Sequence, residues 1–186
     1  MERADRRKSV KGRTPLIPPP PTRLLWALTF VVLLINGILL SVGVPLGFLD
    51  GRFHYSASEI QRVLLEQGEA GRLLYSQLET IDLLFILLYT WLLVELTRAL
   101  RRGVATRVPA ALAYLPIGIA TAADAVETLG LLSLLGRFPD AGPWELSQLI
   151  SWATPVKWAA LAVAAGQLAW LALLKLNTHR QVRGAD

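Results

Sequence analysis

Apolar residues gather into four long stretches, at about residues 24–46, 76–96, 110–135 and 149–174, and each stretch is almost free of charge. An α-helix of about 20 residues is long enough to cross the hydrocarbon core of a bilayer, which is roughly 30 Å thick. The pattern therefore predicts an all-α integral membrane protein, a bundle of four transmembrane helices, with its membrane domain over residues 24–175.

The two ends of the chain are predicted to be tails. Residues 1–23 carry seven Lys or Arg residues and the run Pro18–Pro21, so this segment has little to bury and cannot form a regular helix. We predict a disordered, basic, Pro-rich tail here and a second, short tail over residues 176–186. The first apolar stretch is too long for a signal peptide and lacks a convincing cleavage site, which predicts an uncleaved first span.

A short amphipathic helix is predicted between the first two spans. Ser56 and Glu59 have the spacing of a capping box, and apolar residues at positions 60, 63 and 64 then fall on one helical face. This helix is expected to lie on the outer membrane surface or to cover the bundle, and to loosen at Gly68 and Gly71.

The distribution of Lys and Arg predicts the orientation. The N-terminal tail, the loop 97–108 and the C-terminal end hold 7, 4 and 3 of the 19 such residues, and short loops rich in them stay in the cytoplasm. Both termini are therefore expected to be cytoplasmic. The use of 15 Arg against 4 Lys, with abundant Ala and Leu, is typical of GC-rich bacterial genomes and indicates a bacterial cell membrane. The basic charge is explained by topology, so membrane lipids are the expected partners and nucleic acid is not.

Composition narrows the possible chemistry. Hydrophobic residues make up 53% of the chain and charged residues only 18%, with a mean hydropathy of +0.44. The chain has no cysteine and two histidines, which excludes disulfides, thiolate metal sites and thiol nucleophiles. No histidine stands in a span, and no nucleotide loop or Ser/His/Asp triad is found, so we expect no metal and no cofactor.

Spans two to four contain charged side chains that need a partner or a purpose, because a charge at mid-bilayer costs about 2.5 to 3.5 kcal/mol. The acids form two pairs, one in span two and one in span three. The two members of each pair are three residues apart and therefore share a helical face. Counting depth along antiparallel helices predicts one cluster in the outward-facing half of the bundle, with Glu79 level with Glu127 and Asp82 level with Asp124. The predicted cluster consists of Glu79, Asp82, Asp124, Glu127 and Lys157.

Other polar side chains are predicted to extend the cluster into a stripe or to stay outside it. Glu95 points to the opposite side of span two and is expected to pair with Arg98. His54 and Tyr55 of the first outer loop are candidates for the mouth of the site, although a histidine in a loop is more often simply solvated. Small residues in spans three and four predict that these two helices pack closely. The predicted supporting stripe comprises Arg72, Tyr75, Tyr89, Thr121, Thr128 and Asn36.

One set of residues carries a resemblance. It comprises Gly71-Arg72, Tyr75, Asp82 and Tyr89 in span two, Ala123-Asp124 and Glu127 in span three, and Thr154 with Lys157-Trp158 in span four. This pattern covers about half of the chain and resembles uncharacterised small four-span proteins of the bacterial inner membrane. Those relatives tend to carry Asn after the span-three Glu, where this chain has Thr128. The resemblance implies the fold and no known activity, and a looser similarity to sterol-isomerase-like bundles is one of fold alone.

Three hypotheses about function remain open. The cluster binds or passes a cation, a proton or the charged head of a small amphiphile; or it is the carboxylate pair of a membrane enzyme acting on a lipid-like substrate; or the chain is an assembly subunit that binds another membrane protein. A structural ion pair would account for Lys157 with one or two acids, but four acids exceed what packing requires. A pocket that reaches Asp82 and Asp124 would favour the first two hypotheses, and a dry, fully paired cluster the third.

Overall fold

The computed structural model describes residues 20–49, 51–102, 104, 108–139 and 144–183, with side chains described as far as Thr178. All regular structure in these residues is helical, which confirms the predicted fold class. The helices are α1 (Thr22–Gly43), α2 (Ala57–Glu66), α3 (Gly68–Arg101), α4 (Ala110–Arg137) and α5 (Trp144–Arg183), and a short 3-10 turn (Val44–Leu46) follows α1. Most of the predicted N-terminal tail and the last three residues lie outside the described part.

Four of these helices are long and apolar enough to cross a membrane, namely α1, α3, α4 and α5. Two of them exceed the predicted spans. α3 has 34 residues and is about 51 Å long, and α5 has 40 residues and is about 60 Å long, against roughly 30 Å for the hydrocarbon core. Both helices are therefore long enough to extend beyond the hydrocarbon.

The second spanning helix begins eight residues earlier than the predicted span, because the chain turns at Gly68 and not after Gly71. Gly68 has a φ of +64°, a left-handed conformation that glycine adopts at little cost. Gly71 lies inside α3 in regular helix, so the predicted loosening there is wrong.

The amphipathic helix is present as α2 and begins with the predicted capping box. The Glu59 amide donates to Ser56 Oγ over 3.2 Å, and the Ser56 amide donates to Glu59 Oε2 over 2.8 Å. These bonds from the backbone and side chain of Ser56 lower the pKa of the Glu59 carboxyl, since they favour its charged form. Ile60, Val63 and Leu64 face inward as predicted and are buried.

The helices pack unequally. α4 and α5 share the most extensive interface, followed by α3 with α4 and then α1 with α3, which confirms the predicted close packing of the third and fourth spans. The two helices are in close contact at Gly130, where an added Cβ would lie 2.5 Å from Ile150 Cγ1. By contrast, only Leu28, Leu39 and Gly43 of α1 are buried.

The main hydrophobic core lies at the end of the bundle that carries α2, which we call the α2 end. The loop between α1 and α2 folds back over the spanning helices there, and Leu49 and Tyr55 of this loop are completely buried. Together with α2, this loop covers the charged residues below it. The core contains Leu39, Phe48, Leu49, Tyr55, Ile60, Val63, Leu64, Tyr75, Leu78, Leu131, Leu134 and Ile150.

Candidate functional site

All five charged residues of the predicted cluster are buried within the spanning helices. Glu79 and Glu127 are fully buried, and Asp82, Asp124 and Lys157 are each 4% exposed. α3, α4 and α5 contribute two, two and one of them. Four carboxyl groups and one ammonium are thus buried among the spanning helices.

Lys157 of α5 joins the two acids of α4. Its Nζ lies 2.9 Å from Asp124 Oδ1 and 2.7 Å from Glu127 Oε2. A spacing of three residues places both carboxylates on the α4 face toward α5, so one ammonium bridges them. Removing either charge from water is costly unless the geometry and the remaining hydrogen bonds are good, and both distances are short.

Glu127 receives further hydrogen bonds that the sequence did not predict. The Tyr55 hydroxyl donates to Glu127 Oε1 over 2.5 Å, and the Thr154 hydroxyl donates to the same oxygen over 2.7 Å. Thr154 stands three residues before Lys157 and so shares its helical face, a signal that was present in the sequence. Tyr55 lies in a loop, where no periodicity indicates the direction of a side chain.

Asp82 lies on the other side of the cluster and is held differently. Its Oδ2 accepts a 2.8 Å hydrogen bond from Thr128 of α4, so one residue of the predicted stripe is a direct partner of the cluster. Asp82 is also close enough to Asp124, Lys157 and Glu127 for their charges to act on it. Asp82 and Asp124 are thus close together, as predicted. Thr128 donates a hydrogen bond to Asp82, and Lys157 forms an ion pair with Asp124.

A cavity of about 470 Å³ adjoins the cluster, with Asp82, Asp124 and Lys157 in its wall. Its volume is within the range of about 300–1,000 Å³ that is usual for small-molecule sites. α1 lines one side of the cavity, and α3 and α5 line the other. The remaining lining is almost entirely apolar: Val32, Leu33, Asn36, Leu39, Leu40, Phe48, Gly51, Phe85, Tyr89, Leu92, Leu93, Trp158 and Leu161.

Two residues of the predicted stripe face this cavity, Asn36 of α1 and Tyr89 of α3. The buried Tyr89 hydroxyl makes no hydrogen bond of good geometry within the described part of the chain, although Asp124 and Thr121 are near enough to influence it. Thr121 is 2.7 Å from the Thr90 hydroxyl. Asn36 and Tyr89 are therefore polar groups available to a molecule in the cavity.

The rest of the stripe has structural partners elsewhere. Tyr75 accepts a 3.2 Å hydrogen bond from the Leu49 amide and packs edge-on against Phe48, so it anchors the loop at the α2 end. Arg72 donates to the Leu64 carbonyl over 3.1 Å and lies 3.7 Å above the Phe138 ring. These contacts hold the Arg72 guanidinium at the end of α3, and its part in the polar stripe stays a prediction.

The predicted neighbours of the site are only partly where they were expected. Glu95 pairs with Arg98 at 2.7 Å, as predicted, and stays outside the cluster. His54 is exposed and lines a separate surface depression beside Trp144 and Trp152, so it does not cover the cavity. Over the described residues, no group of three or more His, Asp or Glu side chains is arranged to hold a metal ion.

Comparisons with known proteins do not extend these observations. No protein-family model matches the chain, and no curated protein and no solved structure matches it either. The resemblance to small four-span bacterial membrane proteins therefore stays a prediction, and the function must be argued from the geometry of the four-helix membrane bundle and its buried acidic cluster.

Proposed function

We propose that this multi-pass membrane protein binds a small amphiphile with a cationic head, which lies against the acidic cluster while its tail occupies the apolar part of the cavity. The observation that carries the proposal is the cavity itself, since its walls are mostly apolar and reach the cluster at one place. An inorganic cation or a proton would have no use for those apolar walls.

The charge of the cluster supports a cationic head. Three buried carboxyl groups lie close to one buried ammonium. Lys157 is already paired with Asp124 and Glu127, and Asp82 is the third acid. An anionic head would add like charge to a region of low dielectric, where repulsion is strong. A cationic head would reduce the excess of acid.

The length of the cavity supports an alkyl tail. The lining of α3 extends from Asp82 to Leu93, which is eleven steps along the helix, or about 16 Å at 1.5 Å per step. This is about half of the roughly 30 Å hydrocarbon core. The cavity therefore matches the depth of one leaflet, and a bound tail would lie along the spanning helices.

The position of α1 supports access from the lipid. α1 packs chiefly on α3 and faces α5 across the cavity, so an amphiphile dissolved in the bilayer would reach the site by passing between α1 and α5. We further propose the cell membrane as the location, with both termini in the cytoplasm and the α2 end outside, on the basis of the Lys and Arg distribution.

The alternatives have less support. A pocket that reaches Asp82 and Asp124 is what we expect of a binding protein or enzyme and not of an assembly subunit. For an enzyme, two of the four acids are engaged by Lys157, which leaves them poorly suited to exchange protons with a substrate. Binding is therefore preferred over acid–base catalysis.

The test compares three ligands of equal chain length, decylamine, decanol and decanoate, added to the purified protein in a maltoside detergent at pH 7. A ligand that binds only the folded state raises the melting temperature. We expect decylamine to raise it and the other two to have little effect. Mass spectrometry of lipids that copurify with the protein would then identify natural ligands.

Two variants of α3 control for unspecific partitioning. Asp82→Asn should abolish the shift with decylamine, whereas Glu95→Gln should retain it, because Glu95 is buried on the same helix but lies outside the cavity. Equal shifts with all three ligands, or a decylamine shift that survives Asp82→Asn, would contradict the proposed function.

A further inference from the structure

We infer that the cavity selects a primary ammonium head, one that carries N–H donors, over a quaternary ammonium of the same charge. This inference rests on the proposed function and specifies the class of ligand. It depends on three polar groups in the cavity wall, Asp82, Tyr89 and Asn36.

Asp82 is the acid that has room for a ligand. Asp124 and Glu127 share the Lys157 ammonium, and Glu127 also accepts bonds from Tyr55 and Thr154. Within the described residues, Asp82 has one hydrogen-bond donor, the Thr128 hydroxyl on Oδ2. A carboxylate accepts several hydrogen bonds, so Oδ1 is the natural acceptor for a donor in the cavity.

Tyr89 supplies a second acceptor on the same helix. It stands seven residues after Asp82, on the same face of α3, and long side chains of a helix lean toward its N-terminus. The Tyr89 hydroxyl is thereby carried toward Asp82, consistent with its proximity to Asp124. It is buried near Asp124 and Thr121 and makes no hydrogen bond of good geometry with the described residues, so its oxygen is open to a donor in the cavity.

Asn36 supplies a third acceptor from the opposite wall. It is the one polar side chain that α1 contributes to the cavity lining. Past the first turn α1 is almost entirely apolar, and its two hydroxyl side chains there, Thr29 and Ser41, bond their own backbone. The amide oxygen of Asn accepts hydrogen bonds. A head bound between α1 and α3 would therefore meet acceptors on both sides.

These acceptors match a primary ammonium, which has three N–H donors and no acceptor. A trimethylammonium head has the same charge and no donor, so it would displace water from these acceptors without replacing the lost hydrogen bonds. Sites built around hydrogen bonds discriminate strongly against ligands that lack them, because buried polar groups are left unpaired. The cavity should therefore distinguish heads of equal charge.

A preference for the quaternary ammonium over the primary one would also have a physical basis. Trp158, Phe85 and Tyr89 line the cavity, and aromatic faces can hold a quaternary ammonium through cation–π attraction. The comparison of the two heads thus decides between recognition by hydrogen bonds and recognition by aromatic rings.

The experiment measures Kd for decylamine and decyltrimethylammonium by competition against a fluorescent amine probe, with the full chain in lipid nanodiscs at pH 7. We expect the quaternary ligand to bind at least about tenfold more weakly, a modest value for a site that recognises hydrogen-bond donors. N-methyl- and N,N-dimethyldecylamine should fall between them in order.

Variants identify the groups responsible. Tyr89→Phe and Asn36→Leu should each weaken decylamine more than the quaternary ligand and so reduce the ratio of the two Kd values. Thr90→Val, which removes a hydroxyl next to Tyr89 that already pairs with Thr121, should leave the ratio unchanged. The melting temperature of each variant without ligand verifies that it is folded.

The outcomes separate this inference from the proposed function. If both cationic ligands bind with equal affinity, or the quaternary one binds more tightly, selection by N–H donors is wrong while binding of a cationic amphiphile stands. If neither binds more tightly than decanol, the proposed function fails. A preference for decylamine that persists in Tyr89→Phe and Asn36→Leu would show that other groups select the head.

Discussion

Between α4 and α5 the backbones approach so closely that a methyl group on Gly130 would overlap Ile150, whereas α1 faces α5 across a cavity of about 470 Å³. The acids follow the same division. Those of α4 are bridged by Lys157, and Glu127 also has hydrogen bonds from the loop and from α5. Asp82, on α3, faces the cavity with Thr128 as its hydrogen-bond donor.

This difference indicates two roles within one acidic cluster. Where the helices are in close contact, charge is balanced by short internal bonds and the group holds the bundle together. Where α1 is separated from α5 by the cavity, polar atoms face free volume and are available to a ligand. The packing around a buried charge therefore indicates its role. We expect the packed side, where α4 contacts α5, to determine stability, and the open side, at the cavity, to determine binding.

The largest effect is expected for Lys157→Met. The substitution leaves Asp124 and Glu127 buried without their cation, and breaking a buried pair in this way typically costs about 3–5 kcal/mol. Thermal or denaturant unfolding in detergent measures the loss. Adding Asp124→Asn should recover part of it, because the amide keeps the shape of the side chain and removes one uncompensated charge.

Lys175→Met is the matched control for Lys157. Lys175 is partly exposed and donates to the Ala99 carbonyl, so its removal should cost far less than that of Lys157. If the two lysine variants lose equal stability, or if the added Asp124→Asn destabilises further, the ion pairs of Lys157 do not hold the packed side together.

The next effect concerns the close contact itself. Gly130→Ala should destabilise the bundle by about 1–3 kcal/mol, the usual cost of overpacking, because its new methyl group would meet Ile150. Gly37→Ala on α1 should cause no loss and could add up to about 1 kcal/mol through helix propensity, since nothing lies within 4 Å of its added Cβ. Unfolding of both variants in the same detergent compares the two sides directly, and a larger loss at Gly37 would reverse the comparison.

A third prediction tests the open side by filling it. Leu161→Phe places a larger side chain in the cavity wall and should weaken decylamine binding about tenfold, equivalent to about 1.4 kcal/mol. Stability should remain close to that of the parent, because the ring enters existing space. Leu173→Phe, on the exposed face of α5, should leave binding unchanged, and equal loss of binding in both variants would place the ligand elsewhere.

The smallest effect is expected where α2 covers the packed side. Ser56→Ala removes the N-cap and should cost α2 about 0.5–2 kcal/mol of local stability, measured by hydrogen exchange of its amides. Binding of decylamine should be unaffected.

The pH dependence of α2 follows from the lowered pKa of Glu59. A group whose pKa is lower in the folded than in the unfolded state stabilises the fold at pH values above its pKa in the unfolded state. That stabilisation is lost as the pH falls through the pKa of the folded state. Protection of α2 should therefore decrease as the pH falls below 4.5, the ordinary pKa of a glutamate carboxyl. Glu59→Gln should flatten this dependence, and an unchanged acid profile in that variant would assign the effect to another group.

The sequence by itself determined the features that depend on local pattern. Long apolar stretches predicted the spans, and the spacing of Ser56 and Glu59 predicted the start of α2. The spacing of three residues between the acids predicted shared helical faces, and the small residues of α4 and α5 predicted their close packing. These features depend on the helical repeat and on the length of apolar runs, which can be read along the chain.

Only the tertiary structure decided which side chains meet. Tyr55 reaches Glu127 across 72 residues of sequence, while Arg72, on the expected face of α3, bonds Leu64 at the end of the helix. The direction of a loop side chain and the free volume between two helices depend on how all the elements pack, because no local period encodes either. The cavity beside Asp82, on which the proposed function depends, exists for the same reason: α1 packs on α3 and leaves space in front of α5.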